Sequence, residues 1–466
     1  MSLFSDINQN KVLQYFEMIS DVPRGSSNSK GIADFLEQFA TKNNLKYYRD
    51  SANNVVIYKD GTKDTQPVIL QGHTDIVCDS VNEFDFINNP IKILRQGDIV
   101  TADGTTLGAD NGIACAIMMS ILTDNTLTHP DLECVFTSDE EIGLIGASKL
   151  DTSKLKGKTM LNIDSECEGV FTAGCAGGMS ISSTYKYTKT DNTKNTYKLS
   201  VSGLDGGHSG VDIDKNRCSA IKLSFEIINS IGNCNIVSVN GGSKENAIPS
   251  VCEVVFTADN VDFDICDDYS KKVKEIYSDA ICNIEITQAE KSAYALSDED
   301  SYNIINSVLK LPNGIRCMNS LIPTLVQTSS NIGVISTTDD AISFDISVRS
   351  SVSNEKIQIA NDIKGTLEKY NFNVDMHGDY PSWEFKENSL LRDTAVKVFE
   401  DLYKKSPVID VIHAGLECGI FSDKIPGLDC ISYGPDLFDI HTVIERMSIS
   451  SVMRVYDFTV ELLKNL

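Results

Sequence analysis

The 466-residue chain carries 41 lysines and arginines against 66 aspartates and glutamates, a formal charge of −25, with 41% hydrophobic and 23% charged residues. That composition builds about two to four globular domains, at roughly 100 to 200 residues each, and excludes a disordered chain. An acidic surface repels both phosphate backbones and anionic lipid, so nucleic-acid and membrane-surface roles are excluded.

The opening segment MSLFSDINQNKVLQYFEM has no basic start followed by an apolar run, and no stretch approaches the roughly 18 to 20 apolar residues of a bilayer span. A cytoplasmic protein is expected. The 13 cysteines are odd in number and include no CxxC pair, so they read as reduced thiols, Cys115 and Cys134 among them in apolar runs. Through residue 185, short apolar runs alternate with amphipathic stretches: PVILQG (67–72), GIACAIMMSIL (112–122), ECVF (133–136) and TMLNI (159–163). This predicts an α/β domain whose mixed, mostly parallel sheet is flanked by helices. From about Tyr185 to Pro381 the pattern changes to β-branched strands and three longer amphipathic helices, read as an inserted α+β domain. Within it NAIPSVCEVVFTAD, a helix and CNIEITQ are echoed by SNIGVISTTDDAISFDISVRS, a helix and FNVDMHG, which suggests an internal duplication. The first pattern returns in VIDVIHAGLECGIF and GLDCISYG. The expected division is 1–185 with 382–466 as one discontinuous domain, and 186–381 as the insert.

Polar residues follow the apolar runs in an informative way. His73 and Asp75 come after PVILQG, Asp139, Glu140 and Glu141 after ECVFTS, and Asp164 after TMLNI. Ligands of open α/β sheets bind beyond the carboxyl ends of the strands, so these groups should converge. Asp110, in TTLGADNG, stands at the mouth of a helix, where it also suits a plain cap. Imidazole with several carboxylates is the donor composition of a two-metal hydrolytic site. His441, after GLDCISYG, is the second histidine able to return to the same edge.

Together GHTDIV, TTLGADNG, TSDEEIG, LNIDSE, GLDGGHSG, NAIPS, HAGLECG and DIHTVIERMSIS resemble the co-catalytic zinc peptidases of the carboxypeptidase, aminoacylase and carnosinase clan, and within it the bacterial aminoacyl-histidine dipeptidases. The resemblance implies a catalytic domain with two divalent ions, zinc above cobalt or manganese, and the insert as a lid and dimerisation domain. It implies His73, Asp110 and Asp164 as ligands of one metal, and Asp110, Glu141 and His441 of the other. Asp75 would hold the second ring nitrogen of His73, and Glu140 would be the general base. That Glu140 rather than Glu141 is the base comes from the resemblance alone; if the DEE segment is extended, its neighbouring side chains diverge and only one can face a given metal.

His208 resembles the donor to the developing oxyanion, acting from its own chain or from a partner subunit. Arg349 matches an arginine that pairs with the substrate carboxylate. Asn246 and Asn331 are candidates for substrate contacts, one of which shapes only a turn. Gly415, in HAGLECG, is expected to let backbone amides approach substrate, with His413 contacting substrate or ordering that loop. His129 and His377 read as loop residues. After His441 the chain runs Thr-Val-Ile-Glu-Arg where relatives commonly have a proline and an acid before the basic residue, so that loop is expected to differ. The implied activity is hydrolysis of unblocked dipeptides, Xaa-His preferred and β-Ala-His included, by a homodimer. Removal of an acyl group from an amino acid, another exopeptidase specificity, and a non-catalytic cation-binding scaffold are the alternatives.

Overall fold

The computed structural model describes residues 3–5, 11–320 and 322–466. The chain forms two compact units, one of Met1–Cys175, Trp383–Val411 and Leu416–Leu466, the other of Ala176–Ser382 and Ile412–Gly415. The boundary expected at 185 falls inside strand Gly177–Lys186, which belongs to the second unit's sheet, so the division comes before Ala176.

The first unit is built on an eight-stranded sheet. Its centre is parallel: Val68–His73 lies between Leu132–Thr137 and Thr159–Asn162, and Asp429–Ser432 adds to the far side of Thr159–Asn162. The flanking pairs are antiparallel. Val68–His73 and Leu132–Thr137 are buried at every residue, the pattern of strands covered on both faces. Helix Ala109–Thr123 is apolar nearly all round and correspondingly buried, packed against Val68–His73 and helix Val12–Ser20. Helix Ile449–Asn465 turns Val452, Val455, Phe458, Leu462 and Leu463 into the same core.

The second unit carries a nine-stranded sheet. Cys252–Ala258, helix Ile265–Ile276 and Asn283–Gln288 form a unit whose two strands flank Asn195–Ser202. Ala341–Ser350, helix Ser353–Lys369 and Asn373–Tyr380 repeat this around Gly177–Lys186. The echo in sequence thus corresponds to two split strand-helix-strand units in one sheet. Among the described residues four longer helices occur here rather than three, with Ala220–Ile231 and Asp298–Lys310 as the other two. Helix Ile265–Ile276 buries only Val273. His377 sits in strand Asn373–Tyr380, not in a loop, with its Nε2 3.1 Å from Ser182 Oγ. No two of the 13 cysteines are bonded, and among the described residues no helix is long and apolar enough to cross a membrane.

Candidate metal centre and active site

Three neighbouring parallel strands deliver acids and an imidazole to one edge. His73 closes Val68–His73, Ser138 to Glu141 follow Leu132–Thr137, and Asp164 stands two residues beyond Thr159–Asn162. Asp110 occupies the middle: its Oδ1 is 3.2 Å from His73 Nε2 and its Oδ2 is 3.0 Å from His441 Nε2. Asp164 Oδ1 stands 3.4 Å from His73 Nε2, and Glu141 Oε1 3.0 Å from His441 Nε2. Two donor sets therefore share one carboxylate.

Local backbone explains the placement. Asp110 and Asn111 carry non-helical angles inside helix Ala109–Thr123, and the peptide bond between them is cis. The Asp110 carboxylate faces the imidazoles instead of capping the helix, and Asn111 Nδ2 donates to Asp164 Oδ1. The DEE segment is a turn, not an extended stretch: Asp139 has φ +50°, and the amides of Gly143 and Leu144 return to the Glu140 carbonyl. Glu140 N and Glu141 N donate to the two Asp75 carboxylate oxygens at 2.9 and 3.3 Å, and Ser26 Oγ adds a third bond at 2.8 Å. The Asp75 carboxylate thus holds the glutamate turn. His73 Nδ1 meets the Asp75 carbonyl at 3.1 Å and the carboxylate at 3.5 Å, so the main chain does most of the orienting expected of the side chain.

The electrostatics match crowded acids. Burial disfavours the charged imidazoles, but the facing carboxylates outweigh it, holding His73 well above its ordinary value and His441 at about 11. Burial pushes Asp164 up to about 6 and Glu140 well above the carboxylate range. For Asp110 burial acts upward as well, yet the two imidazoles prevail and lower it. Cation binding at such a site releases protons. The residues fit a divalent ion. His73, Asp110 and Glu141 each present a ligand atom within 4.8 Å of the other two, and the buried Glu141 Oε1 faces His441 Nε2. Mixed imidazole and carboxylate donors suit zinc, cobalt or manganese better than calcium, which favours oxygen alone.

Three buried residues around the centre escaped the sequence. Arg24 donates to the carbonyls of Thr74 (2.9 Å) and Gly108 (2.6 Å). Gly108, at φ +69°, has no room for a Cβ, which would meet Arg24 Nη2 at 2.8 Å. Glu417 accepts from Gln71 Nε2 and Thr137 Oγ1 below the strand ends, and burial pushes it up to about 8. It lies in HAGLECG, where the glycines drew attention first. Glu445 receives backbone amides of the Asp110 segment.

The remaining candidates belong to the second unit. His208 Nδ1 accepts from the amides of Gly210 (3.2 Å) and Val211 (3.1 Å). That fixes the neutral tautomer with its proton on Nε2, and burial with the nearby Arg349 charge lowers its pKa. Arg349 Nη1 donates to Tyr380 Oη at 2.8 Å, while its buried Nε makes no hydrogen bond. Gly415 packs on the same tyrosine: a Cβ there would lie 2.8 Å from the ring. Asn331 Nδ2 donates to the carbonyls of Glu245 (2.9 Å) and Ala247 (2.8 Å), so its amide is committed to the turn that carries Asn246. Asn246 is half-buried, and its carbonyl accepts Ser209 N.

His413 lies against Ser329 Oγ at 2.7 Å, and burial beside Arg349 and His208 lowers it to about 3. Its ordinary value is about 6.5. A depressed histidine contributes stability that is present above about pH 6.5 and lost as pH falls toward 3. Replacing His413 with Gln should flatten the pH dependence of the urea unfolding midpoint in that acid window. An unchanged slope would remove His413 from the acid response.

A model of peptidase family M20/M25/M40 matches residues 69–465. The chain belongs to that family. It is 30% identical over 485 residues to the cytosol non-specific dipeptidase of Escherichia coli (strain K12), covering 100% of this chain and 99% of that one. The crystal structure of aminoacylhistidine dipeptidase from Vibrio alginolyticus superposes with a TM-score of 0.87 at 30% identity, covering 100% and 98% of the two chains. Aminopeptidase PepT from Bacillus cereus, at 15% identity and a TM-score of 0.59 over 97% of each chain, shares the fold.

Proposed function

We propose that this peptidase is a metal-dependent dipeptidase that hydrolyses unblocked dipeptides, with Xaa-His preferred and β-Ala-His included. The observation that carries the reading is Asp110, which turns one carboxylate oxygen to His73 and the other to His441, with Asp164 and Glu141 completing two donor sets. Full-length similarity to two proteins named as dipeptidases supports the substrate class. His73, Asp110 and Asp164 would hold one ion, and Asp110, Glu141 and His441 the other, zinc being the first choice. Bound there, the cations supply Lewis acidity, which polarises the scissile carbonyl and lowers the pKa of water.

The chain's own groups do the rest. Glu140 takes the proton of the attacking water as the C–O bond forms, then delivers it to the leaving amine nitrogen as the C–N bond breaks. Asp75 fixes the turn from which Glu140 projects. His208, neutral with Nε2–H free to donate, is the proposed partner of the developing oxyanion, and Arg349 the partner of the substrate's C-terminal carboxylate. Asn246 and the backbone at Gly415 are the remaining proposed substrate contacts. A cytosolic homodimer belongs to the same reading. It is supported by the cytosolic relative and, for the dimer, by motif resemblance alone.

The test is product release from a panel of Xaa-His dipeptides, other dipeptides and N-acetyl amino acids, with zinc, cobalt or manganese added to stripped protein. Metal-dependent cleavage of Xaa-His is expected. Replacing Arg349 with Ala should raise KM about 10- to 100-fold, the worth of a charged hydrogen bond of roughly 1.5 to 3 kcal/mol. Turnover of acylated amino acids alone would assign the chain to deacylation, and no turnover with any metal would favour a cation-binding scaffold.

A further inference from the structure

The strongest unassigned feature is the buried carboxylate of Glu445, 2% exposed. Its Oε2 accepts the amides of Leu107 (2.8 Å) and Gly108 (2.9 Å), and its Oε1 those of Ala109 (2.8 Å) and Asp110 (3.3 Å). Four successive N–H groups converge on one anion, a backbone nest filled by the protein itself. From the other side Arg24 takes the carbonyl of Gly108, so the peptide planes leading to Asp110 are fixed on both faces. Glu445 lies four residues after His441. That histidine stands on a loop, at φ +61° with its side chain 44% exposed, between the short paired strands Leu437–Phe438 and Arg446–Ser448. One carboxylate therefore ties the segment of Asp110 to the segment of His441.

We propose that Glu445 is a positioning residue that sets the affinity of the metal position formed by Asp110, Glu141 and His441, leaving the position formed by His73, Asp110 and Asp164 much less dependent on it. This rests on the two-cation reading above. The asymmetry follows from anchoring. Asp110 serves both positions, but the first keeps His73 and Asp164, which central strands place without help from Glu445, whereas the second depends on Glu445 for both Asp110 and the loop that carries His441. Only a carboxylate serves: glutamine would turn an NH2 toward two amide donors, losing two bonds and adding a repulsive contact.

The experiment is titration of metal-free wild type and Glu445→Gln with zinc, stoichiometry and stepwise affinity being read by calorimetry and metal analysis. Wild type should bind two ions. The variant should keep one near its wild-type affinity and bind the other roughly 10- to 100-fold more weakly, the usual effect of removing a ligand's support. Two ions bound as in wild type, or both weakened equally, would overturn the proposal. Fewer than two ions on wild type would instead overturn the two-cation reading beneath it. Should the variant not fold, hydrogen exchange on metal-free wild type decides. Slow exchange of the amides of residues 107–110 supports the clamp, and exchange at the rate of an open loop rejects it.

Discussion

Replacing Glu140 with Gln is expected to lower kcat by about 10²- to 10⁴-fold while bound metal stays at the wild-type level. Glutamine keeps the size and most of the contacts of glutamate but cannot take a proton from water. The turn should survive, because the contacts that build it come from backbone: the amides of residues 140 and 141 donate to Asp75, and the carbonyl of residue 140 receives Gly143 and Leu144. None of these involves the Glu140 side chain. Steady-state kinetics on an Xaa-His dipeptide, with metal quantified on the same samples, checks both halves. A loss under tenfold would move the base elsewhere, and a parallel loss of metal would make Glu140 a ligand.

Replacing Asp110 with Asn should be more damaging and different in kind. Both imidazoles face this one carboxylate, at 3.2 and 3.0 Å, so the substitution removes a charged donor from both metal positions at once. Activity should fall below about 0.1% of wild type, the consequence of losing several kcal/mol of electrostatic stabilisation. Metal analysis should show both ions weakened, and added zinc, cobalt or manganese should rescue chelator-treated wild type but not the variant at equal concentrations. Replacing His441 with Asn should weaken only one ion. Equal behaviour of the two variants would contradict Asp110 as a shared ligand.

Much of this was legible in the sequence because it rests on short-range rules. His73, Glu140, Glu141 and Asp164 were found by their place just after apolar runs, and parallel strands bring such ends together wherever the runs are buried on both faces. Asp110 and His441 were picked from a helix mouth and from the last apolar run, while their metal assignments came from the motif resemblance. What stayed hidden depends on backbone direction. That Asp75 serves the Glu140 turn more than His73 follows from the left-handed Asp139, and aspartate carries no sequence mark of that conformation. Arg24 binds main-chain carbonyls, which no side-chain pattern records. Glu445 escaped because its partners are backbone amides and have no side chain to read. The tautomer of His208 likewise depends on two main-chain donors.

The course of the chain through the first unit sets an order on synthesis. Strand Asp429–Ser432 sits inside the sheet, between Thr159–Asn162 and Val170–Cys175, and helix Ile449–Asn465 supplies part of the core beneath it. A nascent chain that has emerged only as far as residue 400 holds nearly all of the second unit but a first sheet with a missing central strand and no His441. Of the candidate metal ligands His441 is therefore made last, and until Asp429–Ser432 arrives the edge of Thr159–Asn162 and the strand Val170–Cys175 stand open to whatever strand comes first.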